Sequence, residues 1–304
     1  MEHKIRSGHG AALMTVILWG TTFISTKVLL VDFQPVEILF FRFIIGFAAL
    51  FLISPRRLKV KEKKQEITFM LAGLTGICLY YLLENMALTY TLASNVGVII
   101  SAAPFFTAIL TQLFMKQEEK LGIHFFIGFV VAMAGICLIS FNGSALKINP
   151  LGDLLALLAA FLWSCYSLLS KKIGGYGYQT ILTTRRVFGY GLMFMIPALF
   201  FFDFTLDLTR FKNPVYLFNI IFLGLGASAL CFVTWNYAVK VLGAMKTSVY
   251  IYMVPVVTIV TSVIILHEKV TPLAGLGTVL TLAGLIVSES RSFQKLRAQS
   301  LHTD

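Results

Sequence analysis

The chain has few charged residues for its length. Only 13% of its 304 residues are charged, whereas 58% are hydrophobic. A soluble protein of this size needs more charge than that to cover its surface. The composition therefore excludes a soluble globular domain and predicts an integral membrane protein.

The chain also lacks the residue clusters that mark metal sites, disulfide frameworks and many enzymes. Its four cysteines stand inside apolar runs and form no CxxC pair, and its five histidines are scattered. We therefore predict no metal and no cofactor. No Walker motif occurs, so the chain does not itself hydrolyse ATP. An intramembrane enzyme was considered as a second class, but such enzymes carry His, Asp or Ser clusters that are missing here, and we predict a protein that is not an enzyme.

The net charge of +11 does not indicate a nucleic-acid partner. The basic residues lie in short segments between apolar runs, a pattern that orients helices toward an anionic membrane leaflet. Most of the 25 Lys and Arg residues fall on one side if the N-terminus is cytoplasmic. We predict a multi-pass protein of the cell (plasma) membrane with both termini in the cytoplasm, whose partners are the lipid bilayer and a small-molecule substrate.

What the chain does contain is apolar runs of about 20 residues, the length that crosses a ~30 Å hydrocarbon core. The predicted class is an all-α polytopic membrane protein with ten transmembrane helices. The predicted spans are 9–30, 35–54, 66–89, 93–115, 121–140, 151–171, 179–202, 214–239, 244–266 and 270–289.

The second half of the chain repeats features of the first half in the same order. The matched pairs include Trp19 and Trp163, Arg42 and Arg186, Asn85 and Asn236, and Pro104 and Pro255. Because five is an odd number of helices, the second copy must enter the membrane from the opposite side. Inverted repeats around a central cavity are typical of transporters. We predict a first five-helix repeat at 9–140, an inverted repeat at 151–289 and a basic cytoplasmic tail at 290–304.

Four sequence segments carry a family resemblance. They are WGTTFISTK from Trp19, PVEILFFRF from Pro35, ENMALTYTLASNVGVIISAAPFFTAIL from Glu84 and WNYAVKVLGAMKTSVYIYMVPVVTIVTSVIILHEKVTP from Trp235. These segments resemble the EamA-type carriers of the drug/metabolite transporter superfamily. The resemblance implies a ten-helix carrier with a central cavity between two five-helix halves.

Charged residues inside the apolar runs are the main site candidates, because an unpaired charge in hydrocarbon is expensive. Lys27, Glu37, Arg42 and Glu84 fall at similar depth in the outer half, which suggests a charge cluster. Three interpretations stay open: the cluster braces three helices, Glu84 takes up a proton or meets a substrate amine with Lys27 or Arg42 nearby, or Lys27 and Glu37 reach the headgroups.

A second basic group lies near the predicted cytoplasmic side. Lys171, Arg185 and Arg186 gather there. They either anchor the helices by the positive-inside rule or, if they face the cavity, attract carboxylate or phosphate groups.

Uncharged residues complete the candidate set. Rings and amides that would suit a cavity wall are Trp19, Trp163, Asn85, Asn236, Tyr166, Tyr237 and Tyr250. Each of the polar ones can instead make an interhelical hydrogen bond. Pro104 and Pro255 are predicted as hinges, because proline removes a helical hydrogen bond and kinks its helix.

The function that we favour is secondary-active export of amino acids or related small metabolites by alternating access. Transport is either coupled to protons through Glu84 or driven by the substrate gradient. The alternative is export of cationic drugs or amines, with Glu84 binding the cation. The sequence does not decide between a monomer and a homodimer.

Overall fold

The computed structural model describes residues 2–90, 93–115, 122–140, 149–202, 204–266 and 271–300, and these residues are predominantly helical. The helices of the first half are α1 (Glu2–Leu29), α2 (Pro35–Ile53), α3 (Lys63–Gly73), α4 (Tyr80–Tyr90), α5 (Ala93–Ile100), α6 (Ala103–Phe114) and α7 (Ile123–Ser140). Those of the second half are α8 (Pro150–Gly175), α9 (Thr180–Phe201), α10 (Pro214–Ile221), α11 (Cys231–Leu242), α12 (Ala244–Val249), α13 (Met253–Leu266) and α14 (Pro272–Ser300).

Six helical stretches among the described residues are long and apolar enough to cross a membrane. They are Lys4–Leu29, Pro35–Ile53, Lys63–Tyr90, Val96–Phe114, Pro150–Gly175 and Pro214–Leu242. Shorter apolar helices occupy Ile123–Leu138 and Gly275–Ser288. The predicted all-helical class is confirmed, whereas the count of ten crossing helices and the inverted arrangement stay predictions.

Two of the long stretches contain a π-helical segment. Leu74–Leu79 joins α3 to α4, and Phe222–Leu230 joins α10 to α11. A π-helical turn inserts an extra residue into the hydrogen-bond ladder, and such turns occur often at functional sites. Neither segment was predicted from the sequence, because no residue pattern distinguishes a π-helical turn from an α-helix.

Several helices begin where proline and a capping side chain coincide. Pro35 opens α2, where Gln34 and Glu37 form a capping box. The Asn149 side chain accepts from the Gly152 amide at 3.1 Å at the start of α8. Proline costs nothing in the first helical turn, since its missing N–H has no helical partner there. These local features explain why the predicted starts of these helices lie close to the observed ones.

The helices that contain Pro104 and Pro255 are interrupted just before each proline. The chain leaves α-helix between α5 and α6, and Pro104 lies in the first turn of α6. A 3-10 turn at Tyr250–Tyr252 precedes α13, in which Pro255 is the third residue. The predicted kink inside a continuous helix is therefore replaced by a break one turn earlier, where the missing N–H costs least.

The two halves of the chain exchange their first helices. In the first half α1 packs against α11 and α13, and in the second half α8 packs against α4 and α6. The α2 helix packs against α9 and the Phe222–Leu230 segment, while α9 packs against α3 and the Leu74–Leu79 segment. The buried core consequently lies where α1, α4, α8 and α11 meet.

The α7 and α14 helices pack closely against each other through small residues. A Cβ atom added to Gly284 would lie 2.4 Å from the backbone nitrogen of Ala132 and 2.6 Å from the Gly128 carbonyl oxygen. The helix backbones therefore touch, as in membrane helix pairs with small residues at every fourth position. The α14 helix continues to Ser300, past the predicted end of the tenth span at 289. Of the ten predicted spans and the predicted tail, residues 121, 270 and 301–304 lie outside the described residues.

We expect Gly284→Ala to destabilise the protein by about 1–3 kcal/mol, because the new methyl group collides with backbone that cannot yield. The measurement is the thermal midpoint of the purified protein in detergent. The matched control is Gly275→Ala on the same helix, where nothing lies within 4 Å of the added Cβ. That variant should keep the midpoint or raise it slightly, since alanine favours helix over glycine. Equal midpoints for both variants would contradict the close contact between α7 and α14.

Candidate functional site

The three tryptophans of the chain meet at the centre of the helix bundle. The ring of Trp19 on α1 lies 5.1 Å from that of Trp163 on α8 and 5.0 Å from that of Trp235 on α11. The Trp19 indole nitrogen donates to the Ala227 carbonyl at 3.0 Å. Trp163 and Trp235 are buried, and their indole N–H groups have no acceptor among the described residues. A buried donor without an acceptor is costly, and of the two residues Trp163 is the one that lines the neighbouring cavity described below.

A small cavity of about 40 Å³ adjoins this aromatic cluster. Residues from both halves line it, including Trp19, Tyr80, Tyr81, Glu84, Ser101, Trp163, Ile251 and Val254. A water molecule needs about 10–15 Å³ by this measure, so the cavity holds about three waters and is too small for a metabolite. A metabolite therefore fits at this point only if the surrounding helices move apart.

Among the described residues that line this cavity, Glu84 is the one that carries a charge. Its side chain is 7% exposed. Tyr80 lies one helical turn earlier on α4, and its hydroxyl hydrogen-bonds the Glu84 carboxyl. Arg42 lies close enough to attract the carboxylate electrostatically. The Glu84 carboxylate thus lies between the two halves of the chain, where the Tyr80 hydroxyl and the Arg42 cation stabilise its charge.

Arg42 lies beside the Tyr81 ring. Its guanidinium carbon is 4.4 Å from the centre of that ring, and its Nε donates to the Ser228 hydroxyl at 3.0 Å. The side chain is 2% exposed and does not line the cavity. The cation–π contact and the hydroxyl hold the charge in place, and its field reaches Glu84.

The predicted four-residue charge cluster is divided in the structure. Glu37 pairs instead with Arg210, whose NH1 lies 2.8 Å from Glu37 Oε2. The Thr205 and Gln34 amides also donate to Glu37, at 3.0 and 2.8 Å. Hydrogen bonding to Glu37 raises the pKa of the Arg210 guanidinium, so this pair stays charged. Lys27 is exposed in the last turn of α1 and lies apart from the cavity.

The repeat-related asparagines both hydrogen-bond a neighbouring helix. Asn85 donates to the Pro35 carbonyl at 3.2 Å, which ties α4 to the start of α2. Asn236 accepts from the hydroxyls of Tyr166 at 2.6 Å and Ser170 at 2.7 Å, and it donates to Thr184 at 2.9 Å. The structure thus gives Asn85, Asn236 and Tyr166 the interhelical hydrogen bonds that the sequence analysis left as one alternative.

Tyr237 and Tyr250 lie outside the Glu84 cavity. The Tyr237 hydroxyl is 3.3 Å from the Ser7 hydroxyl, and the Tyr250 hydroxyl is 2.7 Å from Nδ1 of His9. Both tyrosines connect the second half of the chain to the first turns of α1. They lie toward the face of the bundle at which the chain begins, which we call the N-terminal face.

A second, smaller cavity of about 10 Å³ lies on the N-terminal side of the tryptophans. Tyr166, Ser170, Asn236 and Lys240 are among its lining residues. The Glu84 cavity lies on the other side, toward Pro35. We call the three tryptophans, Trp19, Trp163 and Trp235, the aromatic plug. The plug lies between two small cavities, one toward the N-terminal face and the other toward Pro35.

Sequence reasoning missed several members of this site. Tyr80, Tyr81 and Ser101 line the Glu84 cavity without having been predicted. The spacing of Tyr80 and Glu84 was an available signal, because residues four apart share one face of a helix. Trp235 precedes Asn236 as Glu84 precedes Asn85, so in the repeat it stands where a second glutamate would lie. Its contact with the two predicted tryptophans depends on tertiary packing and carries no local signal.

Comparisons with known proteins agree with this architecture. A protein from Archaeoglobus fulgidus named as an uncharacterized transporter is 26% identical over 292 residues, which cover 94% of this chain and 98% of the relative. A probable terminal-alkyne amino-acid exporter from Streptantibioticus cattleyicolor is 25% identical over 98% of both chains. A solved crystal structure superposes with a TM-score of 0.76 at 18% identity, covering 93% of this chain and 97% of the other, which shows a common fold.

The family comparison covers nearly the whole chain. The model of the EamA-like transporter family matches residues 6–141 and again residues 150–289. The expected resemblance is thus confirmed, and with it a multi-pass membrane protein that transports. The chain belongs to the EamA-like transporter family.

Proposed function

We propose that the protein is a secondary-active transporter that exports amino acids or related small metabolites by alternating access. The observation that carries this proposal is the position of the Glu84 cavity. A single buried carboxylate stands at the centre of the bundle, beside an aromatic plug, in a cavity that residues of both halves line. Ionisable residues at membrane depth mark substrate or proton pathways, since they are costly elsewhere.

The proposed architecture is ten crossing helices in two inverted five-helix repeats, at 9–140 and 151–289. Two features support it: the exchange of α1 and α8 between the halves, and the π-helical segments at matching positions. The double match of the family model agrees with the same division. Under this proposal the N-terminal face is cytoplasmic, and residues 290–304 form a cytoplasmic tail.

The proposed movement opens the two small cavities one at a time, each toward its own face of the bundle. Opening toward the Pro35 side exposes Glu84, and opening toward the N-terminal face exposes Asn236 and Tyr166. The breaks before Pro104 and Pro255 are the points at which the two helices bend, because backbone hydrogen bonds are already missing there. In each of the two open states, the aromatic plug would lie between the ligand and the opposite side of the membrane.

An amino acid would find complementary groups in an expanded Glu84 cavity. Its ammonium group would pair with Glu84 and the surrounding rings, and its carboxylate would accept a hydrogen bond from the indole N–H of Trp163. The name of the Streptantibioticus relative, an amino-acid exporter, supports this substrate class. Protonation of Glu84 would release the ammonium group, which would couple export to protons.

A second candidate substrate is a cationic amine without a carboxylate. The observation that favours it is that Arg42 does not line the cavity and is held by Ser228 and Tyr81. The described cavity wall then contains a negative charge and no positive one. Such a wall recognises an ammonium group more strongly than a carboxylate.

We expect Glu84→Gln to lower substrate-driven flux in proteoliposomes by about tenfold or more, because a hydrogen bond between charged groups contributes about 1.5–3 kcal/mol. The pH dependence of flux should flatten in the same variant. The matched control is Glu37→Gln, a buried carboxylate that pairs with Arg210 and does not line the cavity. It should lower stability while leaving substrate affinity unchanged. If Glu84→Gln keeps the wild-type flux and its pH dependence, Glu84 has only a structural role and the proposal for this residue is wrong.

The two substrate classes predict different effects of Trp163→Phe, which keeps a ring and removes the indole N–H. If the substrate is an amino acid, the variant should bind phenylalanine about tenfold more weakly and phenylethylamine as before, since only the carboxylate uses the N–H. The measurement is the ligand-dependent rise in thermal midpoint. If phenylethylamine stabilises the wild-type protein and phenylalanine does not, the amine is the favoured class and the amino-acid proposal fails.

A further inference from the structure

A third cavity opens on the outer surface of the bundle near the N-terminal face. It lies between α2, α9 and the segment that connects α2 to α3, and its volume is about 280 Å³. Phe47, Arg57, Arg185, Gly189 and Met193 are among the residues that line it. We call this cavity the basic groove. None of the residues that form the Glu84 cavity belongs to it.

The connecting segment is fixed against α9 by arginine side chains. Arg185 donates to the carbonyl oxygens of Ser54 and Arg56. Arg186 donates to the Leu58 carbonyl at 3.2 Å and pairs with Glu66. Because these bonds reach the carbonyls of every second residue from Ser54 to Leu58, the groove is formed before any ligand arrives.

The groove holds more positive charge than its neighbours neutralise. Glu66 compensates Arg186, with oxygen and nitrogen 2.6 Å apart. In the described part of the chain, no acidic side chain pairs with Arg185 or Arg57. Arg185 is only 8% exposed, so its charge has lost most of its water. A partly desolvated cation whose described contacts are carbonyl oxygens and the Phe51 ring, with no carboxylate, attracts an anion strongly.

The shape of the groove adds a second requirement to its ligand. Along α9, Arg185 and Met193 are separated by about 12 Å at 1.5 Å per residue, with Gly189 halfway. The charged end lies near the N-terminal face, and the other end is apolar and faces outward, since Met193 is 61% exposed. The missing side chain at Gly189 leaves space against the Phe47 ring. A ligand that fills the groove must therefore be anionic at one end and apolar at the other.

We infer that the basic groove binds an anionic phospholipid of the leaflet at the N-terminal face. The lipid phosphate contacts Arg57 and Arg185, and an acyl chain lies over Gly189 and Met193. A free phosphate would satisfy the charged end alone, whereas the apolar half requires a lipid. Basic pockets between membrane helices on the cytoplasmic side commonly select anionic headgroups. This site is independent of the transported substrate.

The test is native mass spectrometry of the purified full-length protein with equal amounts of phosphatidylglycerol and phosphatidylcholine that carry the same acyl chains. The wild type should retain phosphatidylglycerol preferentially. Arg57→Gln should weaken its binding about fivefold, the factor expected for one basic side chain near an anionic surface. Lys59→Gln is the matched control, because Lys59 is an exposed cation of the same segment that does not line the groove. An equal loss in both variants would show general charge attraction and overturn the site.

The apolar half of the site has its own variant and its own competitor. Gly189→Leu should fill the acyl-chain path and abolish the preference, yet fold normally, because an added Cβ meets only the Phe47 ring at 3.4 Å. Inorganic phosphate at millimolar concentration should leave the bound lipid in place. If Gly189→Leu retains phosphatidylglycerol while phosphate displaces it, the groove is a phosphate site and the lipid assignment is wrong.

Discussion

The cost of a charge inside hydrocarbon is the constraint on which the rest of this structure depends. Several charges of the bundle have close partners: Glu37 pairs with Arg210, Arg186 pairs with Glu66, and Arg42 contacts the Tyr81 ring and the Ser228 hydroxyl. Glu84 has no ion pair of this kind among the described residues and is stabilised by the Tyr80 hydroxyl and by electrostatic attraction to Arg42. Weak compensation is what a transport site needs, because a carboxylate in a strong ion pair would not exchange its partner for a substrate or a proton.

The aromatic plug stabilises the same region by different means. Three indoles with ring centres 5.0 to 5.8 Å apart fill the bundle centre without adding charge. Only Trp19 among them makes an indole hydrogen bond in the described part of the chain, to the Ala227 carbonyl, whereas the hydrogen bonds of Asn85 and Asn236 hold each helix to its neighbour. In the proposed mechanism, the rings would rearrange while the helix pairs around them move as units.

The sequence predicted the helices well because apolar length and helix-start chemistry are local. Pro35 with its capping box and Asn149 before Pro150 mark boundaries that any reading of the chain can find. The partner of Glu37 was not predictable in this way. Arg210 stands 173 residues further along the chain, in a short 3-10 segment that looks like an ordinary loop. Expected depth groups Glu37 with Arg42 but does not specify rotation around the helix axis, and rotation decides which charges meet.

Under the proposed inverted repeat, the two halves have similar mechanical properties but different chemistry. The π-helical segments and the breaks before Pro104 and Pro255 recur in both halves. In the proposed mechanism, two similar halves would make the inward-open and outward-open states close in energy, which would allow exchange without coupling it to anything. The asymmetry would come from the site, where Glu84 has Trp235 as its counterpart. A ligand or proton at Glu84 would then change the energy of the state that exposes this carboxylate and leave the other state nearly unchanged, so that binding would shift the equilibrium between the two.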